Sequence, residues 1–230
     1  MVAGGGGVND NSIGIGNGLR TAVLISGSGT NLQAIVDRIL TGGLDINLAQ
    51  VLSDRPDAFG LTRAREAGIP TRVIDYSNSN SRPEADEKLL IALETLAPDL
   101  VVLAGFMRIL PPDMVNAYPG RMLNIHPSLL PKHRGLHTYR KAIQSGDTWH
   151  GTTVHYVTPD LDAGPSIIQY KIPIRDGETE ASLRARVQRG EYVIYPRAIG
   201  WIADGRLSLH GTDVWLDDAP MDAPVIVEEI

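Results

Sequence analysis

The sequence predicts an α/β fold, with a Rossmann-like, doubly wound, mostly parallel sheet and helices on both faces. Three observations point there. Short apolar runs rich in β-branched residues alternate with helical segments of about 10–15 residues, the pattern of strand–helix–strand units. One run, 100–104, is apolar at every position, as expected for a central parallel strand covered on both faces. The 230 residues, 43% of them hydrophobic, suffice for one sizeable core.

The elements follow in order. Residues 21–26 form a buried strand, 27–30 a glycine-rich turn and 31–40 a helix. A second strand covers 46–52, and a helix over 57–67 stops at Gly68. The third strand is 71–74. Ser81 and Glu84 have capping-box spacing, with Pro83 tolerated in the first turn of a helix that runs to Leu96. After the strand at 100–104 come a short helix at 112–117, a strand at 122–125 and a helix at 139–145. Strands at 152–157 and 166–174 precede a long helix within 179–203, distorted near Pro196. A short strand at 206–210 closes the series.

Two segments stand apart. Gly4 to Gly7, Gly14, Gly16 and Gly18 make residues 1–19 a flexible glycine-rich tail. They lie before the first strand, whereas a dinucleotide loop follows one. Residues 211–230 are acidic and proline-bearing, and read as a loosely attached tail. Residues 20–210 then form a single domain.

Composition excludes several function classes. A net charge of −6 does not suit general nucleic-acid binding. The absence of cysteine excludes disulfides, thiolate metal sites and cysteine nucleophiles, and fits a cytoplasmic chain. The most apolar run, 100–107, is far shorter than the roughly 20 residues of a membrane helix.

Open α/β sheets bind ligands beyond the carboxyl ends of their strands, which directs attention to the residues after Ser26, Ala104 and Ile125. The turn Gly27-Ser28-Gly29-Thr30-Asn31 opens a helix, where bare N–H groups favour an anion. Leu32 stands where a dinucleotide motif needs a third glycine, and no P-loop lysine is present, so a single phosphate is the better ligand. A tight connection with no ligand accounts for these residues equally well. In the run after 104, Leu103 and Ala104 read as core, whereas Arg108 in an apolar run reads as functional.

Asn124 and His126 lie on one side of a strand, with Ile125 opposite. Together they are suited to polarising a carbonyl or moving a proton. A satisfied core histidine beside a turn asparagine is the competing reading, of about equal weight. Asp160 and Asp162 sit in a Gly-Pro turn. Asp160 reads as a turn former. Asp162 is suited to holding His126 protonated, a contact that spacing does not reveal. His137, His150 and His155 read more readily as structural.

The stretch from Asn124 to Pro131, Asn-Ile-His-Pro-Ser-Leu-Leu-Pro, with Asp162 inside Leu161-Asp162-Ala163-Gly164-Pro165, resembles the signature of 10-formyltetrahydrofolate-dependent formyltransferases. Further segments of that family recur in order. They start at Ile25, Asp57, Pro98, Gly135 and His150, and the likeness covers about residues 20–210. It is strongest for the branch that formylates glycinamide ribonucleotide. The resemblance implies the formyltransferase fold and a catalytic domain over 20–210. It implies transfer of a formyl group from 10-formyltetrahydrofolate to 5'-phosphoribosylglycinamide in purine biosynthesis, without a metal.

Asn124, His126 and Asp162 match the catalytic trio. Gly29, Thr30 and Asn31 match the turn that binds the ribonucleotide phosphate. Gln188, Arg189, Gly190 and Glu191 match the other segment at that substrate. Arg82, Met107, Arg108, Ile109, Leu110 and Asn124 match folate contacts, as do Thr158, Pro159, Asp160, Leu161 and Asp162. The implied partners are these small molecules, with no nucleic acid or membrane, and the implied state is a monomer or homodimer. His133 and Arg134 depart from the family, where an aromatic or a proline is common, and carry no expected role.

Three alternatives compete. Formyltetrahydrofolate deformylase shares the trio but hydrolyses the formyl group, and usually carries an amino-terminal regulatory domain. Methionyl-tRNA formyltransferase also shares it, but adds a carboxyl-terminal domain and a basic surface. A nucleotide-binding module with a decayed site is the non-enzymatic option, against which the retained trio argues.

Overall fold

The computed structural model describes residues 15–229. The expected amino-terminal tail therefore lies mainly outside the described residues. Of its remainder, Ile15 bridges Leu48, and Leu19 already opens the first strand.

The elements are β1 (Leu19–Ile25), α1 (Thr30–Leu40), β2 (Ile46–Ser53), α2 (Phe59–Glu66), β3 (Thr71–Val73), α3 (Arg82–Leu96) and β4 (Leu100–Leu103). They continue with α4 (Pro112–Asn116), β5 (Met122–His126), α5 (Thr138–Gln144), β6 (Trp149–Tyr156), β7 (Ser166–Pro173) and α6 (Glu180–Ala203). β8 (Leu207–His210), β9 (Asp213–Leu216), β10 (Ala219–Pro220) and β11 (Val225–Glu228) complete the chain. Eight strands form one sheet in the order β11-β7-β6-β5-β4-β1-β2-β3. Pairing is parallel from β3 through β5, antiparallel on both sides of β6, and parallel again between β7 and β11. The α/β reading thus holds.

The sheet separates two apolar layers, and alternation along the strands assigns side chains to each. Val23 and Ile25 of β1 and Val102 of β4 face a cluster built with α1 and α6. Ala22 and Leu24 with Val101 and Leu103 face a cluster built with α3 and α4. Ser81 caps α3 by accepting the Glu84 N–H, so the first half of the expected capping box is present. Glu84 turns its carboxylate to Lys88 and Asn80 instead of closing the box.

Four expectations need correction. β6 begins at Trp149, before the expected start at 152, because the ladder with β7 extends to the Trp149–Pro173 pair. The last predicted strand, β8, does not join the main sheet. It forms a small antiparallel sheet with β9 and β10. Residues beyond Gly211 are not a loose tail: β11 pairs with β7, and Glu229 forms an ion pair with buried Arg186. α6 runs unbroken through Pro196, which is buried within it.

The chain reverses its winding around β1, since β2 and β4 flank it. The turn after β1 and the loop after β4 therefore open side by side at the carboxyl ends. Ser26 joins them. Its N–H donates to the Gly105 carbonyl and its hydroxyl accepts the Met107 N–H. This switch point is where an open sheet forms a crevice.

Candidate active site

β5 delivers Asn124 and His126 to this crevice on the same face. The antiparallel ladder sets Asn124 opposite His155 and His126 opposite Thr153 on β6. The loop between β6 and β7 returns Asp162, with φ +49, to the same point. Its Oδ2 lies 3.3 Å from His126 Nδ1 and accepts the Gly135 N–H at 2.9 Å. Its Oδ1 lies 3.5 Å from Asn124 Nδ2. The structure thus brings Asn124, His126 and Asp162 together.

The ring of His126 has an acceptor at each nitrogen. Nε2 lies 3.0 Å from the His133 carbonyl, which only accepts, so Nε2 carries a proton. Nδ1 faces the Asp162 carboxylate.

His155 orients Asn124. Its Nδ1–H donates to the Tyr156 carbonyl at 2.9 Å, which leaves Nε2 as an acceptor 3.1 Å from Asn124 Nδ2. Burial pulls its pKa down to about 4, against the Tyr156 hydrogen bond and the charge of Asp162. The ring is therefore neutral near pH 7. It fixes the amide with its NH2 toward the trio. The sequence signal for this role was period-two alternation along β6, but the register that pairs it with β5 was not readable.

Asn124, His155 and Asp162 line one end of a cleft. Its walls include Leu103, Phe106, Leu110, Val115, Val157 and Leu161, with Arg108, Ile109, Thr158, Pro159 and Asp160 at the rim. The cleft encloses about 540 Å³ of space open to solvent. His126 does not line it, but touches it through Asp162. Met107 is exposed beside the cleft, and Arg82 donates to the Ile109 carbonyl at 2.7 Å.

Arg108 is held by a residue that the sequence reading missed. Its Nε donates to Asp54 Oδ2 at 2.7 Å, and its guanidinium lies 4.8 Å from the centre of the Tyr76 ring. Asp54 is buried just past β2, and the rule that singled out the ends of β1, β4 and β5 applies to it equally.

The second expected site lies at the start of α1. Gly29 is its N-cap, with φ +68, and a Cβ there would lie 2.6 Å from the Gly60 Cα. Only glycine permits this approach. Asn31 Nδ2 donates to Glu191 Oε2 at 2.9 Å, both side chains being buried. This bond joins the glycine turn before α1 to the α6 segment of Gln188, Arg189, Gly190 and Glu191. Burial raises the pKa of Glu191, partly offset by Asn31. Gly190 lies against Tyr170, where a Cβ would overlap the ring. Among the described residues, no three His, Asp or Glu side chains are grouped to hold a metal ion, and no helix is long and apolar enough to cross a membrane.

Residues 19–199 match the formyl transferase family model. The chain belongs to the formyl transferase family. This formyltransferase is 52% identical to the phosphoribosylglycinamide formyltransferase of Escherichia coli K12, over 86% of its own chain and 94% of the relative. A solved structure of the phosphoribosylglycinamide formyltransferase from Coxiella burnetii superposes with a TM-score of 0.87 at 46% identity, over 92% of this chain and 100% of that one. A formyltetrahydrofolate deformylase from Pseudomonas syringae shares the fold, with a TM-score of 0.81. Its identity is 26%, over 87% of this chain and 66% of that one.

Proposed function

We propose that this formyltransferase moves the formyl group of 10-formyltetrahydrofolate to the amino group of 5'-phosphoribosylglycinamide, in purine biosynthesis. The convergence of Asn124, His126 and Asp162 at the end of an apolar cleft carries the reading, and 52% identity to a phosphoribosylglycinamide formyltransferase supports the choice of acceptor. On this reading the protein is a cytoplasmic enzyme, monomer or homodimer, that acts on small molecules without a metal.

Apolar walls with a few polar groups at the rim suit a flat heterocycle. Arg108, Ile109, Leu110 and the loop from Thr158 to Asp162 would hold the pterin of 10-formyltetrahydrofolate, the donor of the formyl group. Met107 and Arg82 would contact it from outside the cleft. The first N–H groups of α1 at Gly29, Thr30 and Asn31 would bind the ribonucleotide phosphate. Gln188, Arg189, Gly190 and Glu191 would contact the rest of that substrate.

The acceptor nitrogen forms a bond to the formyl carbon, and the carbonyl electron pair moves onto oxygen. Asn124 Nδ2–H donates to that oxyanion, and the protonated ring of His126, held beside Asp162, stabilises its charge. Nε2 is engaged with His133, which leaves Nδ1 on the side of Asp162 and the formyl group. Asp162 offsets the imidazolium charge and takes the proton lost by the attacking amine. When the bond from the formyl carbon to the folate nitrogen breaks, that proton is delivered to the leaving nitrogen.

The test follows tetrahydrofolate formation with and without the ribonucleotide. Formation only in its presence is expected. Formation at the same rate without it would make the protein a deformylase, and none in either case would overturn the enzymatic reading.

A further inference from the structure

The loop after β5 carries an arrangement that no role above uses. His133 has φ +53, a conformation disfavoured for a residue with a Cβ. Its carbonyl nevertheless receives the Nε2–H of His126. Two contacts hold this backbone in place. Ser128 Oγ donates to the Lys132 carbonyl at 2.7 Å, just before the turn. The His133 ring donates Nε2–H to Asp147 Oδ2 at 2.7 Å.

Asp147 is a firm anchor. Its own N–H donates to the Ala142 carbonyl at the end of α5, and its Oδ1 accepts from Lys132 Nζ at 3.1 Å. Both side chains of the pair are mostly buried, at 15% and 13% exposure. The hydrogen bond from His133, assisted by Lys132, holds the Asp147 carboxyl below its usual range. The chain from Asp147 through the His133 ring and backbone thus ends on the ring of His126.

We propose that His133 and Asp147 form a positioning pair that keeps the His133 carbonyl on His126 Nε2, and so keeps His126 Nδ1 turned to Asp162 beside the formyl oxygen. The proposal rests on the role given to His126 above. Neither residue touches substrate. The pair acts through the turn: without the ring–carboxylate bond, residue 133 relaxes from its left-handed conformation. The carbonyl then leaves Nε2, and the imidazole is free to rotate away from Asp162.

The test compares His133→Phe, which keeps a planar ring but loses the donor, with His133→Gln, whose amide can still donate to Asp147. Asp147→Leu, which has no acceptor for the ring, serves as a second disruption. His133→Phe and Asp147→Leu are expected to lower kcat about tenfold, a typical cost of misplacing a reacting group, with KM for both substrates changed less than about twofold. His133→Gln is expected to stay within about threefold of the parent. In the 15N-labelled protein, the slowly exchanging Nε2–H signal of His126 should be present in the parent and in His133→Gln, and absent in His133→Phe.

The proposal is overturned by parental kcat in His133→Phe, by a loss carried in KM, by equal impairment of His133→Phe and His133→Gln, or by an unchanged His126 signal in His133→Phe. Should His133→Phe fail to fold, Asp147→Leu decides by the same readouts. The nuclear magnetic resonance arm is independent of turnover, so failure of the positioning pair is distinguishable from failure of the proposed reaction.

Discussion

A side-chain amide has two faces, and at Asn124 the neutral ring of His155 selects one of them. Replacing His155 by Leu removes that acceptor and leaves the Tyr156 carbonyl without its partner. We expect kcat to fall by about 10–10²-fold, on the scale of losing an oriented oxyanion donor; an unchanged kcat would show that the amide is fixed by other means. His126→Ala or Asp162→Asn should lower kcat by about 10²-fold or more with smaller changes in KM. Near-normal turnover in either variant would remove that residue from the trio. Asn124 and His126 were legible as a pair because a strand repeats every two residues. The approach of Asp162 was not. It depends on a left-handed residue in a loop that folds back across the sheet, and spacing carries no record of that.

At the scale of elements, the two ends of the crevice depend on close packing and on a strand that composition concealed. Gly60 supports the turn proposed to bind phosphate, and a Cβ there would lie 2.6 Å from Ile25 Cδ1 and 3.1 Å from the Gly29 Cα. Gly60→Ala should displace the turn and raise KM for the ribonucleotide about tenfold, a cost of about 1.4 kcal/mol, with little change in kcat. An unaltered KM would place the phosphate elsewhere. At the sheet edge, β11 brings Glu229 to Arg186, which is also paired with Glu178. Glu229→Ala leaves Arg186 with Glu178 and the Pro173 carbonyl, and should cost about 1–2 kcal/mol, seen as a fall in Tm of several degrees. An equal Tm would mean that the contact adds nothing to stability. Val225-Ile226-Val227 is a short β-branched run, masked in the sequence by the acids and prolines around it. Pairing with β7 is a long-range event that composition does not reveal.

For the whole molecule, buried histidines set the acid limit of stability. Burial pulls the pKa of His150 and of His155 down to about 4, from an ordinary value of 6.5. The unfolded chain therefore binds protons between pH 6.5 and 4 that the native state refuses. Stability is fully present above pH 6.5 and declines as pH falls toward 4, with a slope of up to about 1.4 kcal/mol per pH unit for each histidine. Glu191, whose pKa is raised, acts in the opposite sense, losing stability as pH rises above its ordinary value of 4.5. Between pH 6.5 and 4.5 two histidines oppose one carboxyl at the same limiting slope per group, and the histidines prevail. Urea midpoints at pH 6.5, 5.5 and 4.5 should decrease in that order, and a flat series would refute the assignment.

The wound sheet itself was legible, because the uniformly apolar 100–104 run and the alternation of strand with helix leave few other architectures. Strand order and the reversed β6 were not, since both depend on pairing between distant segments. The most direct test of the central claim is to follow a 13C-formyl label on the folate donor. We predict that it appears as a formamide on the ribonucleotide, one equivalent per tetrahydrofolate formed, and only when the ribonucleotide is present. Label recovered as free formate, with or without the ribonucleotide, would contradict the account.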